Sequence, residues 1–353
     1  MGVGSGLCSQ FGFKNETTVG TPVTVDHFNR HVSIGGDGLQ LITVTDEGLG
    51  GCFLMPTIDR TATVGSQVSR DVELNVGTRG LDLIYKQMIG ASLAAPVLIS
   101  GAFYRSAFWN GDPGALSQTI QFGIPETTQT GTVRAFTDAG AKITQWELNQ
   151  ARNDMLKLRF SYDAWSESVA TGLAAATYTG GVAATINELL RFNCFSAKIG
   201  GTPSVASSVV SVASGVEIKG CRGVSVKGTM PLRTDGFFSG GAGIKSNQLL
   251  AAGFQQFTAD LDIEFQDRTQ IYDIYAAYTT VALELSWVGK VDAGAAQFGK
   301  LSVIFPNAKI SPSGLNVTGP EGADNKTTLT AFGDPAGTLP AIQVMAENLD
   351  VAF

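Results

Sequence analysis

The chain has 353 residues, 44% of them hydrophobic and only 16% charged, with 43 Gly and a formal net charge of −7. That length allows two domains with cores of their own. High Gly with few charges suits many strands joined by tight turns, and the acidic balance argues against gripping nucleic acid through its phosphates, which takes clustered Lys and Arg.

Residues 1–29 read as an N-terminal arm: a Gly-rich start, then Phe11-Gly-Phe13, then Thr-Val-Gly-Thr-Pro22. Two Phe on such an arm need a docking place, either on a partner subunit or on the arm's own domain. The opening Met-Gly-Val-Gly-Ser-Gly has no basic n-region and no apolar h-region, so no secretory signal is expected. No membrane partner is expected either, because the most apolar stretch, Ile89 to Ile99, is broken by Gly90, Ser92 and Pro96.

Residues 30–170 form a first module. Alternation predicts strands over Leu39–Thr45, Arg70–Val76, Thr119–Phe122, Lys142–Leu148 and Leu156–Tyr162. One helix is predicted after Arg79, where Leu81, Ile84, Tyr85 and Met88 fall on one face and Gly90 supplies a stop. Residues 171–188 are small and uncharged up to Glu188 and read as a linker or a long hairpin. Residues 189–353 form a second module, with strands predicted over Phe195–Ile199, Val216–Lys219, Val224–Met230, Thr258–Phe265, Val281–Trp287, Lys300–Phe305, Thr327–Phe332 and Ala341–Ala346. Its helix is predicted on Ile271, Ile274, Tyr275 and Tyr278.

The two modules share a strand–Arg–helix unit. Asp71-Val-Glu-Leu-Asn-Val76 with Arg79 and Asp260-Leu-Asp-Ile-Glu-Phe265 with Arg268 lie 189 positions apart, while the helix faces lie 190 apart. A repeat this long means two similar units. In both strands one face is apolar, and the other carries Asp71, Glu73, Asn75 or Asp260, Asp262, Glu264. Asp is disfavoured in strands and like charges on one face repel, so an acidic sheet face repeated twice suggests a use rather than an ordinary solvated surface. The fold class expected is mainly β: two sandwich or barrel modules, each with one packed helix.

No chemistry-bearing constellation stands out. His27 and His31 are four apart, but only Asp26 lies near as a further ligand, so no metal site is expected. The same two His are the only candidates for a His base, and neither sits in a nucleophile context. In Ser239–Ser246, Ile244 separates Gly from Lys and breaks the phosphate-loop pattern; Gly2-x-Gly4-x-Gly6 follows no strand. Cys8, Cys52, Cys194 and Cys221 have no C-x-x-C spacing and read as buried free thiols of a reducing cytosol. Neither a cofactor nor enzymatic activity is expected.

The run Gly6-Leu-Cys-Ser-Gln-Phe-Gly-Phe-Lys-Asn-Glu-Thr-Thr-Val-Gly-Thr-Pro-Val-Thr24 resembles the opening of tail tube proteins of long-tailed bacteriophages. The strand–helix block at 70–90, Gly140–Glu147 and Val303–Ala308 are similar to later blocks of that family, which spreads the likeness over nearly the whole chain. The doubled module departs from it, since many tube proteins have one. The resemblance implies a structural subunit of the virion tail, assembled in the host bacterial cytoplasm. Its rings typically have six modules, stack into a hollow tube, and join their inner sheets into one barrel around a lumen. Two modules per chain imply a trimeric, pseudo-hexameric ring. The polar positions Asp71, Glu73, Asn75, Asp260, Asp262 and Glu264 would line the lumen, which passes DNA or holds a tape measure protein without specific binding. Phe11, Phe13 and Pro22 would form an inter-subunit arm. Partners implied are further copies of the chain and other tail proteins at the tube ends. The alternative reading is a virion surface β module that binds carbohydrate or a receptor.

Overall fold

Strand formation follows the period-two pattern closely. In the computed structural model, residues 256–264 alternate between exposed or half-buried and buried without a break, and 71–75 do the same. The structure describes residues 8–45, 55, 58–92, 96–101, 103–112, 116–126, 132–178, 187–233, 252–265, 268–269, 271–292, 296–311, 314–317 and 323–350. Residues 239–246, Gly2–Gly6 and Cys52 lie outside the described residues.

The first half runs β1 (Gln10–Asn15), β2 (His27–Asn29), β3 (His31–Thr45), β4 (Thr61–Asn75), α1 (Asp82–Ile89), β5 (Gly90–Ser92), β6 (Val97–Ser100), β7 (Phe103–Asn110), β8 (Gln118–Pro125), β9 (Val133–Gln150), β10 (Lys157–Ala164) and β11 (Ser166–Ser168). The second half runs β12 (Phe195–Ile199), β13 (Thr202–Ala206), β14 (Val209–Ala213), β15 (Val216–Glu217), β16 (Cys221–Thr229), β17 (Gln256–Glu264), α2 (Tyr272–Ala276), β18 (Val281–Asp292), β19 (Phe298–Ile310), β20 (Gly314–Val317), β21 (Ala323–Ala331) and β22 (Gln343–Asn348). The fold is mainly β, and every strand ladder among the described residues is antiparallel.

The pairing of the second half follows that of the first. One sheet runs β2-β1-β8-β9-β11, and its counterpart runs β15-β12-β18-β19-β22. A second sheet runs β3-β4-β10-β9, and its counterpart runs β16-β17-β21, bordered by β19 and then β20. Two register shifts recur at matching places. The shift at His31/Ser33 opposite Leu74 and Glu73 matches that at Cys221/Gly223 opposite Ile263 and Asp262. The shift at Gln118/Ile120 matches Val281/Leu283. A bulge bends and twists a sheet locally, so these shared shifts curve the two halves at matching places, while the shift at Gly35/Gly38 on β3 has no counterpart on β16.

The halves differ in their helices. α1 has seven of its eight residues buried and ends at Gly90, whose left-handed φ of 100° and N–H bond to the Lys86 carbonyl close it. α2 is five residues long with none of them buried. The predicted second helix therefore stops short of Tyr278, which has a positive φ of 51° and is exposed. The one-residue excess before it is real, since α1 starts seven residues after β4 ends and α2 starts eight after β17.

The predicted arm is not an arm. Phe11 and Phe13 lie on β1, hydrogen-bonded between β2 and β8, and both are fully buried, with Phe11 packed near Phe160. They fill this chain's own core, which is why they need no partner; Pro22 remains exposed. The Glu16 carboxylate explains the polar run that follows. It accepts from the Ser117 and Thr119 hydroxyls and from the Gly20 and Gly140 N–H groups, tying the opening loop to β8 and β9. Residues 171–178 are also tied down, with the Gln121 amide bonded to Gly172 and Ala174.

Candidate assembly surfaces

The two halves meet edge to edge. The C-terminal part of β9 pairs with β16 from Gln150↔Val224 to Gln145↔Thr229, which makes one sheet of β3-β4-β10-β9-β16-β17-β21-β20. The joint is well sealed. Trp287 is fully buried and donates from Nε1 to Oε1 of Gln150 at 2.6 Å. Trp146 donates to the Met88 carbonyl and contacts Phe257, while the Met230 N–H reaches the Thr144 carbonyl at 2.7 Å.

The same sheet ends in two open edges. Among the described residues β3 pairs only with β4, and β20 pairs only with β21. By matching registers β3 corresponds to β16, and β20 to the end of β9. Each edge is thus the unpaired copy of an edge that is paired inside the chain. Its flanks are correspondingly bare: Ile124, which corresponds to the buried Trp287, is 47% exposed. A cleft of about 950 Å³ opens there, lined by Val32, Ile34, Gly35, Arg70, Phe122 and Ile124 among others.

Arg70 closes the floor of that cleft. Its guanidinium donates to Asp138 at 3.0 Å, pairs with Glu167 and stacks over the Phe122 ring at 4.3 Å. Asp138 is fully buried and also accepts from the Tyr162 hydroxyl at 2.7 Å, but its Oδ1 has no partner. Burial pushes its carboxyl up to about 6, against the pull of Tyr162 and Arg70. A second buried acid, Asp82 on α1, bonds Ser106 and Asn348, and burial followed by the nearby Asp350 pushes it up to about 7.

The polar face of the sheet carries all six expected positions, Asp71, Glu73, Asn75, Asp260, Asp262 and Glu264, on β4 and β17. That face is not wholly acidic, however. Arg159 stands opposite Glu73 at 3.7 Å, Lys326 stands opposite Asp262, Lys227 bridges Asp260 at 2.9 Å, and Arg222 bridges Glu264. Asp71 accepts from Ser161, and Glu147 on β9 adds a further acid within 3.9 Å of Lys227. The cations come from neighbouring strands, so the sign of one strand's face does not set the sign of the sheet.

The repeated Arg plays two parts. Arg79 donates to Asp350 at 2.8 Å while the Gly80 N–H takes the other carboxylate oxygen, pinning the C-terminal segment. Arg268 makes an exposed bridge to Asp273. His27 and His31 stand on separate strands, bonded to Asp26 and Ser9, and no group of three metal-ligating side chains occurs among the described residues.

A family model for phage tail tube proteins matches residues 6–337. The chain belongs to that family. The tail tube subunit therefore carries its family match across both halves, including the joint between them. No curated protein sequence matches it. Members of this family are structural components of the virion tail, and no helix among the described residues of this tube protein is long and apolar enough to cross a membrane.

Proposed function

We propose that three copies of this chain close into a pseudo-hexameric ring, that rings stack into the tail tube, and that the polar sheet face lines the DNA-conducting lumen. The observation that carries the reading is the β9–β16 joint. It joins the two halves edge to edge, and β3 and β20, each paired on one side only among the described residues, support reading them as the two sides of a second such contact. Copying the internal register sets Ile34 of one chain opposite Val317 of the next, and Gly35 opposite Asn316. Pairing them removes both exposed edges, which would otherwise recruit strands indiscriminately.

The lumen would be a mixed-charge wall with a slight acidic excess. Every carboxylate strand on the face is flanked by Lys or Arg, so DNA meets neither a strong repulsive wall nor an adhesive one. At physiological salt each charge acts over only about 8 Å. DNA, or a tape measure protein before ejection, would slide without specific binding, with other tail proteins capping the tube ends.

Electron microscopy of tubes should show three chains per ring. Six would overturn the trimer and keep the tube, and a chain that stays monomeric where tails assemble would overturn both. Replacing Asp71 and Asp262 together by Lys should leave tubes intact and slow DNA ejection. Unchanged ejection from intact tubes would remove this face from the lumen.

A further inference from the structure

A second bare surface lies on the other side of the sheet, beside α2. Tyr275, Tyr278, Ile310, Ser311 and Phe332 line a cleft of about 540 Å³, with the Lys309 ammonium over the Tyr278 ring at 3.8 Å. Tyr278 is 67% exposed and Phe332 48%. In the first half the corresponding residues are covered. Tyr85 and Met88 correspond to Tyr275 and Tyr278, and Lys142, Ile143 and Thr144 to Lys309, Ile310 and Ser311. Tyr85, Met88 and Lys142 are buried, whereas Tyr278 is exposed and Tyr275 and Lys309 are half-buried; Ile310, like Ile143, is itself buried. At Thr144 the cover comes from the second half: Met230, the residue just past β16, is buried and donates its N–H to the Thr144 carbonyl.

The residue that corresponds to Met230 in the first half is Leu41. The register Leu39↔Val68 matches Gly228↔Phe257, and two steps further along β3 and β16 bring Leu41 and Met230 into correspondence. Among the described residues nothing covers Leu41, which is 61% exposed, as Leu39 is 45% exposed beside it. The internal contact is the backbone bond from Met230 to Thr144, and the positions corresponding to its two sides are the exposed Leu41 and the exposed aromatic cleft beside Ser311. Contiguous bare aromatic and aliphatic surface marks a docking site.

We propose that Leu41 of one copy seats in the Tyr275–Tyr278–Phe332 cleft of the next copy, with its N–H on the Ser311 carbonyl. This rests on the ring reading and adds a hydrophobic lock to the strand joint, on the face opposite the lumen. It also assigns a role to the exposed leucines of β3 and to the truncated α2. A shorter helix leaves room for the incoming side chain, where α1 is instead packed inside its own chain.

The test uses two engineered cysteine pairs in the full chain. Facing residues on antiparallel neighbours lie about 4.5–5.5 Å apart at Cα, within reach of a disulfide. Leu41→Cys with Ser311→Cys probes the cleft, and Gly35→Cys with Asn316→Cys probes the strand joint. On oxidation of assembled tubes, both pairs should give a non-reducing ladder that ends at a closed trimer, absent from the parent chain and from each single substitution. A ladder from the joint pair alone would overturn the cleft inference and leave the ring. A ladder from neither pair would overturn the ring reading itself. Independently, Leu41→Asp should abolish tubes while the unassembled chain keeps its far-ultraviolet spectrum and melting temperature, because Leu41 supports nothing within its own fold. Normal tubes from that variant would overturn the lock.

Discussion

The two halves of this tail tube protein use one strand plan to build two kinds of interior. In the first half Arg70, Asp138 and Tyr162 join Glu167 in a buried ionic network. At the corresponding positions the second half has Ala259, Phe305 and Leu329, all buried and apolar. The exteriors differ in a complementary way. The second half's β16 edge, Trp287 and Met230 are covered within the chain, whereas β3, Ile124 and Leu41 are open. Similar strand pairing therefore tolerates very different side chains, because ladder hydrogen bonds and shared bulges shape the sheets, while the side chains decide what fills or covers each site.

The largest effect should come from the joint. Trp287→Ala should destabilise the unassembled chain by about 3–5 kcal/mol, since it opens a cavity and strands the Gln150 carbonyl. Ile124→Ala at the matching open site should change that stability by less than about 0.5 kcal/mol and weaken tube assembly instead. Denaturant unfolding and tube yield together check the pair, and equal losses of stability would break the comparison. Arg70→Ala should cost about 3–5 kcal/mol, because two carboxylates lose their buried cation. Combining it with Asp138→Phe and Tyr162→Leu, in imitation of the second half, should recover part of that loss. A triple variant less stable than Arg70→Ala would show that the ionic interior is not exchangeable with the apolar one.

The buried acids give a pH signature. Asp82 and Asp138 have folded values of about 7 and about 6, above the ordinary 3.8, so the folded chain holds protons that the unfolded chain releases. Stability should therefore fall as pH rises from about 4 to about 7. Asp82→Asn should flatten the upper part of that decline in melting temperature against pH, and an unchanged slope would remove Asp82 as its source. The smallest effect separates the two repeated arginines. Arg79→Ala should cost about 1.5–3 kcal/mol through the lost charged hydrogen bond to Asp350, and Arg268→Ala less than about 0.5 kcal/mol at its exposed bridge.

Much of the fold is legible in the amino-acid order. Alternation located the strands at 70–76, 142–148, 156–162, 195–199 and 258–265, because each has one face on a core, and also the strand at 39–45, whose apolar side chains stay exposed or half-buried; Gly90 marked the end of α1 through its left-handed φ. The repeat was legible too, since the same strand needs the same alternating side chains in each half. β1 was not, because Gly12 between two Phe reads as a flexible run until β8 supplies a partner. The true charge of the sheet face was hidden as well. Glu73 meets Arg159 and Asp260 meets Lys227 only through strand pairing, and no local pattern carries information about residues dozens of positions away.

By itself the sequence determined a mainly β chain with a repeated strand–Arg–helix unit and a likeness to tube proteins, because period-two burial and turn residues are local. Tertiary structure alone decided that Phe11 and Phe13 are core, that cations interleave the acidic strands, and that β9 meets β16 while, among the described residues, β3 and β20 each pair on one side only. Those are properties of which edges meet, and edge pairing is settled by packing across the whole fold.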